Sequence, residues 1–175
     1  VNDEITTTNT STTIDSTMTL NNNVCLLFGE AGSGKSVALT RLCHMAAKKH
    51  IEDPVNPIPV LIELKSLTAK DHIQSRVARL LECSDSECDM LLNKGRILLF
   101  LDGVNEIVSW DPNRATVQLQ RDFISEIATL FNRYPKTRMW ISDRAMTNFG
   151  GDVRREIVKL ELQKVTAQDI INFCK

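Results

Sequence analysis

One motif constrains the fold of this chain more than any other: G-x-x-x-x-G-K-S, which runs from Gly29 to Ser36. An apolar segment, Val24–Phe28, precedes the motif, and apolar residues at helical spacing follow it. This order of strand, glycine-rich loop and helix is the context in which the pattern forms a phosphate-binding loop, or P-loop. The glycines allow a tight turn whose backbone N–H groups converge on an anion at the start of a helix. The motif therefore indicates binding of a nucleoside triphosphate.

The motif assigns a role to each of its polar residues. We expect Lys35 to reach the β- and γ-phosphates and the Ser36 hydroxyl to ligate Mg²⁺. A glycine-rich turn with an incidental lysine would match the same motif, but the strand and helix patterns on either side argue against that interpretation. The predicted nucleotide-binding residues form one segment: Gly29, Glu30, Ala31, Gly32, Ser33, Gly34, Lys35, Ser36 and Val37.

Length and composition are typical of one globular domain. The chain has 175 residues, of which 42% are hydrophobic, and its formal net charge is −1. A near-neutral charge without a basic run gives no reason to expect a nucleic acid or a membrane surface as partner. The longest apolar segments have the length of strands, and no signal peptide is recognised. Because the first residue is Val, we expect the chain to be part of a longer polypeptide.

The cysteines show neither a disulfide framework nor a zinc-binding spacing. We expect burial of these residues as small apolar side chains, and free thiols of this kind predict a reducing, cytoplasmic location. They are Cys25, Cys43, Cys83, Cys88 and Cys174.

Hydrophobic periodicity predicts strands that alternate with helices. Further strands are expected at 58–64, 96–101, 137–142 and 156–162. Helices are expected at 35–49, after a cap at Asp71, at 86–92, at 114–134 and from Thr166 onward. The periodicity places Leu80 and Val117 on the buried faces of their helices. Such alternation indicates an α/β fold with three layers, in which helices cover both faces of a five-stranded, mainly parallel sheet.

Residues 1–23 differ from the rest of the chain, because Thr, Ser and Asn dominate them. Such a segment buries too little apolar surface to offset its ordering entropy, and we interpret it as a linker. An alternative is that residues 17–20 contact the base, since the residues before the first strand do so in many P-loop domains. With residues 1–23 as the linker, we expect residues 24–175 to form the nucleotide-binding domain.

A second element of the site follows the strand predicted at 96–101, which delivers Asp102 at its end. Ligands of parallel sheets bind at the carboxyl ends of the strands, so we expect this carboxylate to lie beside the P-loop. There it would hold Mg²⁺ through water, while Ser36 ligates the ion directly. An Asp that merely caps a turn is the alternative, but the P-loop itself requires such a carboxylate.

Four segments, in this order, resemble a NACHT domain of the STAND class of P-loop NTPases: GEAGSGKS, IPVLIEL, ILLFLDGVNE and TRMWISDR. The resemblance covers residues 22–175, and its most specific mark is Gly103, directly after the magnesium Asp. It implies a signalling switch of the innate-immunity or defence type, in which ADP holds a closed form and ATP permits self-association. Flanking effector and sensor domains of the same polypeptide would be its partners, and we expect the chain to stop before them.

One departure from the pattern of this family concerns catalysis. The family usually has DG-x-DE, but Asn105 stands at the first acidic position, and an amide cannot accept a proton from water at neutral pH. Glu106 remains acidic and is the candidate catalytic acceptor; otherwise hydrolysis is very slow. Lys35 is the second catalytic candidate.

Another departure lies at the end of the fourth strand, where Ser142-Asp143-Arg144 replaces a T-S-R sequence. Arg144 is the third catalytic candidate, as the sensor of the γ-phosphate. Asp143 is placed to pair with its guanidinium.

Other classes of nucleotide-binding protein fit less well. The N-K-x-D motif of GTPases fails at Arg96, where Asp is needed, and D-x-x-G fails at Asn105. The arginine-rich lid of small-molecule kinases is not found. The remaining alternative to a slow ATPase is a nucleotide-stabilised interaction module without significant turnover.

Overall fold

The computed structural model describes residues 24–68, 70–108, 115–144 and 157–162. These ranges contain the strands β1 (Val24–Phe28), β2 (Ile58–Glu63), β3 (Ile97–Asp102), β4 (Arg138–Asp143) and β5 (Ile157–Glu161). They also contain the helices α1 (Lys35–Glu52), α2 (Ile73–Leu80), α3 (Asp85–Asn93) and α4 (Thr116–Arg133). Short 3-10 turns, Leu64–Ser66 and Val104–Glu106, follow β2 and β3. The predicted linker at 1–23 and the helix predicted from Thr166 lie outside the described residues.

The strands lie in the order β2-β3-β4-β1-β5, and each neighbouring pair is parallel. Strand β4 therefore separates β1, which leads into the P-loop, from β3, which ends in Asp102. In the register, Phe28 pairs with Asp143, and Leu101 pairs with Ile141. The predicted five-stranded parallel sheet is confirmed, and its carboxyl edge carries all of the predicted site elements.

Side chains of the strands alternate between two apolar clusters on opposite faces of the sheet. On one face, Cys25, Phe100 and Trp140 pack with Leu39 and Leu42 of α1. On the other face lie apolar residues of the three remaining helices, among them Val77, Cys88, Phe123, Ile127 and Phe131. The predicted coverage of both faces by helices is thus confirmed.

The position of β3 in the sheet explains why its sequence is an unbroken apolar run. Every residue from Ile97 to Leu101 is buried, because a strand covered on both faces needs no polar alternation. Both β3 and β4 continue one residue beyond their predicted ends. Asp102 and Asp143 thus belong to the sheet, which orients their backbones more firmly than a loop would.

The prediction that Asp71 caps α2 was wrong. Its Oδ2 accepts hydrogen bonds from the Thr68 backbone N–H at 2.9 Å and the Thr68 hydroxyl at 2.7 Å, and so stabilises the preceding turn. The first N–H of α2, that of Ile73, donates instead to Glu126 Oε1 of α4 at 2.7 Å. The cap therefore comes from a distant helix.

Two predicted core positions are also wrong. Leu80 is 48% exposed and Val117 is 57% exposed. Leu80 is the last residue of α2, and Val117 is the second residue of α4. In a terminal turn of a helix, neighbours surround a side chain less completely than in its middle.

Helix α3 begins one residue earlier than predicted, because Ser84 and Glu87 form a capping box. The Glu87 backbone N–H donates to Ser84 Oγ at 3.3 Å, and the Ser84 backbone N–H donates to Glu87 Oε2 at 2.9 Å. These reciprocal bonds satisfy two N–H groups that have no partner inside the helix. The S-x-x-E pattern was visible in the sequence.

The described cysteines are free thiols, and Cys25 and Cys88 are buried while Cys43 and Cys83 are half-buried. Burial raises the pKa of Cys25 to about 12 and that of Cys88 to about 11, so both remain protonated at neutral pH. The predicted burial holds fully for these two thiols. Cys174 lies outside the described residues.

None of the described helices is both long enough and apolar enough to cross a membrane.

Candidate functional site

The loop between β1 and α1 has the backbone that the P-loop motif predicts. Gly34, the N-cap of α1, has a φ of +88°, in the left-handed region that a side chain disfavours. The carbonyl of Gly34 accepts the Ala38 N–H at 2.9 Å, which starts the helix. The first N–H groups of α1 have no acceptor within the helix and are available to an anion.

Lys35 is folded back onto its own loop. Its ammonium donates to the Gly29 carbonyl at 2.8 Å and to the Glu30 carbonyl at 2.7 Å, and it lies 3.5 Å from Ser33 Oγ. Lys35 is the only basic residue between Gly29 and Val37. These contacts keep its charge within the turn, next to the amides that start α1.

The nine predicted nucleotide-binding residues differ in exposure. Gly29 and Ser33 are buried, Lys35 is half-buried, and the remaining six residues are exposed. Val37 is 74% exposed although it is apolar. Most of the loop is thus accessible to solvent.

Ser36 and Asp102 are brought together from distant parts of the sequence. Ser36 Oγ donates to Asp102 Oδ1 at 3.1 Å. Ser36 is exposed and Asp102 is half-buried, so solvent reaches both. A hydroxyl and a single carboxylate, with water and phosphate oxygens as further ligands, suit Mg²⁺ at a nucleotide. These residues therefore fit the predicted magnesium site. In the part of the chain that the structure describes, His, Cys, Asp and Glu form no cluster of three that could hold a metal.

Ser142 also belongs to the site, although the sequence interpretation gave it no role. Its hydroxyl donates to Asp102 Oδ1 and accepts the Gly103 backbone N–H at 2.8 Å. Ser142 is 1% exposed. The available signal was a small hydroxyl residue at the end of a buried strand, but its meaning depends on the order of the strands.

Gly103 precedes the 3-10 turn Val104–Glu106, which contains Glu106, the candidate proton acceptor. Its φ is +81°, and a Cβ at this position would lie 3.2–3.3 Å from carbon atoms of the Glu106 side chain. The Glu106 side chain therefore packs against the Gly103 backbone. Asn105 is half-buried and Glu106 is exposed.

Arg144 follows β4 and is exposed. The predicted ion pair with Asp143 is not formed, because Asp143 Oδ1 accepts the Arg144 backbone N–H at 2.7 Å instead. Within the described ranges, no hydrogen bond or ion pair engages the Arg144 guanidinium. The guanidinium is therefore available to an anion, while the buried Asp143 carboxylate positions its backbone.

Solved structures are similar to this chain at low sequence identity. The ORC1 protein of Aeropyrum pernix, in complex with DNA, matches with a TM-score of 0.54 at 15% identity, over 86% of this chain and 42% of that chain. A STAND signal transduction ATPase with a tetratricopeptide repeat sensor, from Pyrococcus horikoshii, matches with a TM-score of 0.44 at 14% identity, over 86% of this chain and 22% of that chain. The chain thus spans less than half of the length of either protein. No match was found among curated protein sequences.

The sequence matches the NACHT domain family over residues 23–172. This range is most of the chain, and it includes the P-loop, Asp102 and the end of β4. The family match agrees with the parallel sheet and with the contact between the P-loop serine and the carboxylate at the end of β3. The chain belongs to the NACHT domain family of P-loop NTPases.

Proposed function

We propose that this domain binds ATP and ADP with Mg²⁺ and acts as the nucleotide-dependent switch of a longer signalling protein. The observation that carries the proposal is the 3.1 Å contact between Ser36 Oγ and Asp102 Oδ1. A P-loop hydroxyl and a carboxylate at the end of another strand of the same sheet are the pair that holds nucleotide-bound magnesium in P-loop NTPases. Membership of the NACHT family supports the same function.

In this proposal the P-loop binds the phosphates. Lys35 exchanges the Gly29 and Glu30 carbonyls for the β- and γ-phosphates, and the N–H groups at the start of α1 donate to the same anion. Ser36 and Asp102 hold the magnesium ion, which when bound neutralises phosphate charge. The preference for adenine over guanine rests on the family alone.

Hydrolysis is proposed to be slow. The Glu106 carboxylate is the candidate acceptor for the proton of an attacking water, since the Asn105 amide cannot accept one. Arg144 is the candidate contact to the γ-phosphate and so distinguishes ATP from ADP. The position of the Glu106 side chain across Gly103 supports its role.

The switch itself is proposed from the family. ADP would favour a resting form, and ATP would permit self-association under the control of flanking effector and sensor domains. Innate immunity or defence is the proposed setting, and a cytoplasmic location stays a prediction. Nucleic acid is not proposed as a partner, because the net charge is −1 and no basic run is present.

Asn105 favours a second candidate function, a nucleotide-stabilised interaction module that binds but does not turn over. Single-turnover measurements on the isolated domain separate the two candidates. Slow release of phosphate supports the switch with hydrolysis, and stable ATP over the same period supports the module.

Titration calorimetry of nucleotide binding tests the proposed function. Lys35→Ala should weaken ATP binding by about tenfold or more, because the phosphate charge loses its closest cation. Asp102→Ala should abolish the effect of Mg²⁺ on ATP affinity and change ADP binding less. Lys48→Ala, which removes the same charge from an exposed position near the end of α1, should bind like the wild type. Wild-type affinity in Lys35→Ala would overturn the P-loop assignment, and equal affinity for GTP would contradict the adenine preference.

A further inference from the structure

Two hydroxyl groups donate to the same oxygen of Asp102. Ser36 Oγ and Ser142 Oγ both bind Oδ1, whereas Oδ2 has no hydrogen-bond partner among the described residues. The two serines differ in environment, since Ser36 is exposed and Ser142 is buried. Ser36 can therefore turn to a ligand, whereas Ser142 has no other acceptor among the described residues.

The direction of the Ser142 hydrogen bond is determined by its other partner. The Gly103 N–H, which can only donate, contacts Ser142 Oγ at 2.8 Å. Ser142 accepts there, and its single proton must point to Asp102. A hydrogen bond from a buried hydroxyl to a carboxylate is of the strong, charge-assisted kind.

The sheet holds the Ser142 backbone in place. Ser142 pairs with Leu27 of β1 in the parallel register, and β4 also pairs with β3, which ends in Asp102. The donor is thus attached to a strand with hydrogen-bonded neighbours on both sides. Such a position orients a side chain better than a loop does.

We propose that Ser142 is a positioning residue for the magnesium site. By engaging Oδ1 of Asp102, it leaves Oδ2 for the metal and its water ligands. It also retains the carboxylate when Ser36 leaves Asp102 to ligate the ion. Ser142 itself contacts neither metal nor nucleotide. This role rests on the proposed function of the P-loop and Asp102.

The test compares nucleotide affinity in the presence of Mg²⁺ and of EDTA, measured by titration calorimetry with ATP. The ratio of the two affinities, the magnesium stimulation, is the readout. Ser142→Ala should reduce the stimulation by about tenfold, as loss of an outer partner of a metal ligand commonly does. Its affinity in EDTA should equal that of the wild type. Ser142→Thr, which keeps the hydroxyl, should retain the stimulation.

The other end of β4 offers a matched control. Thr137 is also a buried hydroxyl residue, and it donates to the Leu92 carbonyl at 2.6 Å, far from Asp102. Thr137→Ala should lower the midpoint of thermal unfolding but keep the full magnesium stimulation. A decrease of the stimulation in this variant equal to that in Ser142→Ala would show a general loss of packing and overturn the proposal.

Other outcomes separate this role from the proposed function. Wild-type stimulation in Ser142→Ala overturns the role of Ser142 while the magnesium site stands. Absence of stimulation in the wild type overturns the magnesium site and the role of Ser142 together. Should Ser142→Ala fail to fold, Ser142→Cys replaces it. A thiol is a weak donor, so stimulation below that of the wild type supports the role and equal stimulation overturns it.

Discussion

The backbone N–H of Ile73, at the start of α2, donates to the carboxylate of Glu126 in α4 at 2.7 Å. His72 Nδ1 lies 3.7 Å from the same oxygen of Glu126. Burial raises the pKa of Glu126, and the opposing contacts with Ile73 and His72 do not cancel that effect. A partly desolvated carboxylate thus joins two helices on one face of the sheet.

Glu126→Gln should remove a contribution that lowers the stability of the domain as pH rises. Because the folded-state pKa is raised, the native state binds the proton more tightly than the unfolded state does. The contribution of Glu126 to the free energy of unfolding is therefore greatest below the unfolded pKa, about 4.3 for Glu, and is lost as pH rises through the folded value. Glutamine keeps an acceptor for Ile73 but does not titrate. Urea unfolding at a series of pH values should show that just above pH 4.3 the free energy of unfolding falls less, or rises more, with pH in the variant than in the wild type. An unchanged slope in Glu126→Gln would contradict this contribution.

Ser84→Ala should destabilise the domain by about 1 kcal/mol, because it removes the N-cap of α3. Ser86→Ala changes an exposed serine two residues further along the same helix and is the matched control. The measurement is the midpoint of denaturant unfolding for both variants. Equal midpoints would contradict the contribution of the capping box.

Arg144→Ala should weaken discrimination between ATP and ADP rather than abolish binding. A hydrogen bond to a charged group contributes about 1.5–3 kcal/mol, so the ratio of the two affinities should fall by about tenfold or more. Competition binding with both nucleotides measures the ratio, and Arg121→Ala, an exposed arginine of α4, controls for the loss of charge. If Arg144→Ala distinguishes the nucleotides as well as the wild type does, Arg144 is not the sensor.

Turnover should depend on Glu106 rather than on Asn105. Removing a positioned proton acceptor costs about 10²–10⁴ in rate, so Glu106→Gln should abolish measurable single-turnover hydrolysis. Asn105→Asp should then have little effect. A marked increase in Asn105→Asp, with unchanged hydrolysis in Glu106→Gln, would assign the acceptor to position 105. Nucleotide affinity measured on both variants ensures that a change in rate reports chemistry.

The sequence predicted those parts of the fold that depend on local patterns. The Gly29–Ser36 motif and the apolar run before it were enough for β1, the P-loop and the start of α1. The apolar run that ends at Asp102 was enough for a buried parallel strand. Boundaries differed by one or a few residues, because a polar residue such as Asp102 can still pair within a strand.

Contacts between distant segments could not be predicted in this way. Nothing near Ile73 in the sequence indicates that its backbone N–H donates a hydrogen bond to Glu126. The role of Ser142 depends on β4 lying beside β3, and apolar parallel strands carry no local signal of their order. Leu80 and Val117 fit the helical periodicity of apolar residues that predicts burial. This periodicity alone does not show where a helix extends past the elements that cover it.

The position of β4 also determines how wide the site is. Since β4 lies between β1 and β3, and adjacent strands are about 4.8 Å apart, the ends of β1 and β3 are separated by about 10 Å. The end of β4 fills this gap with the buried residues Ser142 and Asp143. The distance between β1 and β3 cannot increase unless hydrogen bonds of β4 to one of its neighbours break. Because Ser142 is buried against the Asp102 carboxylate, a bulky residue at position 142 would displace that carboxylate without altering the P-loop.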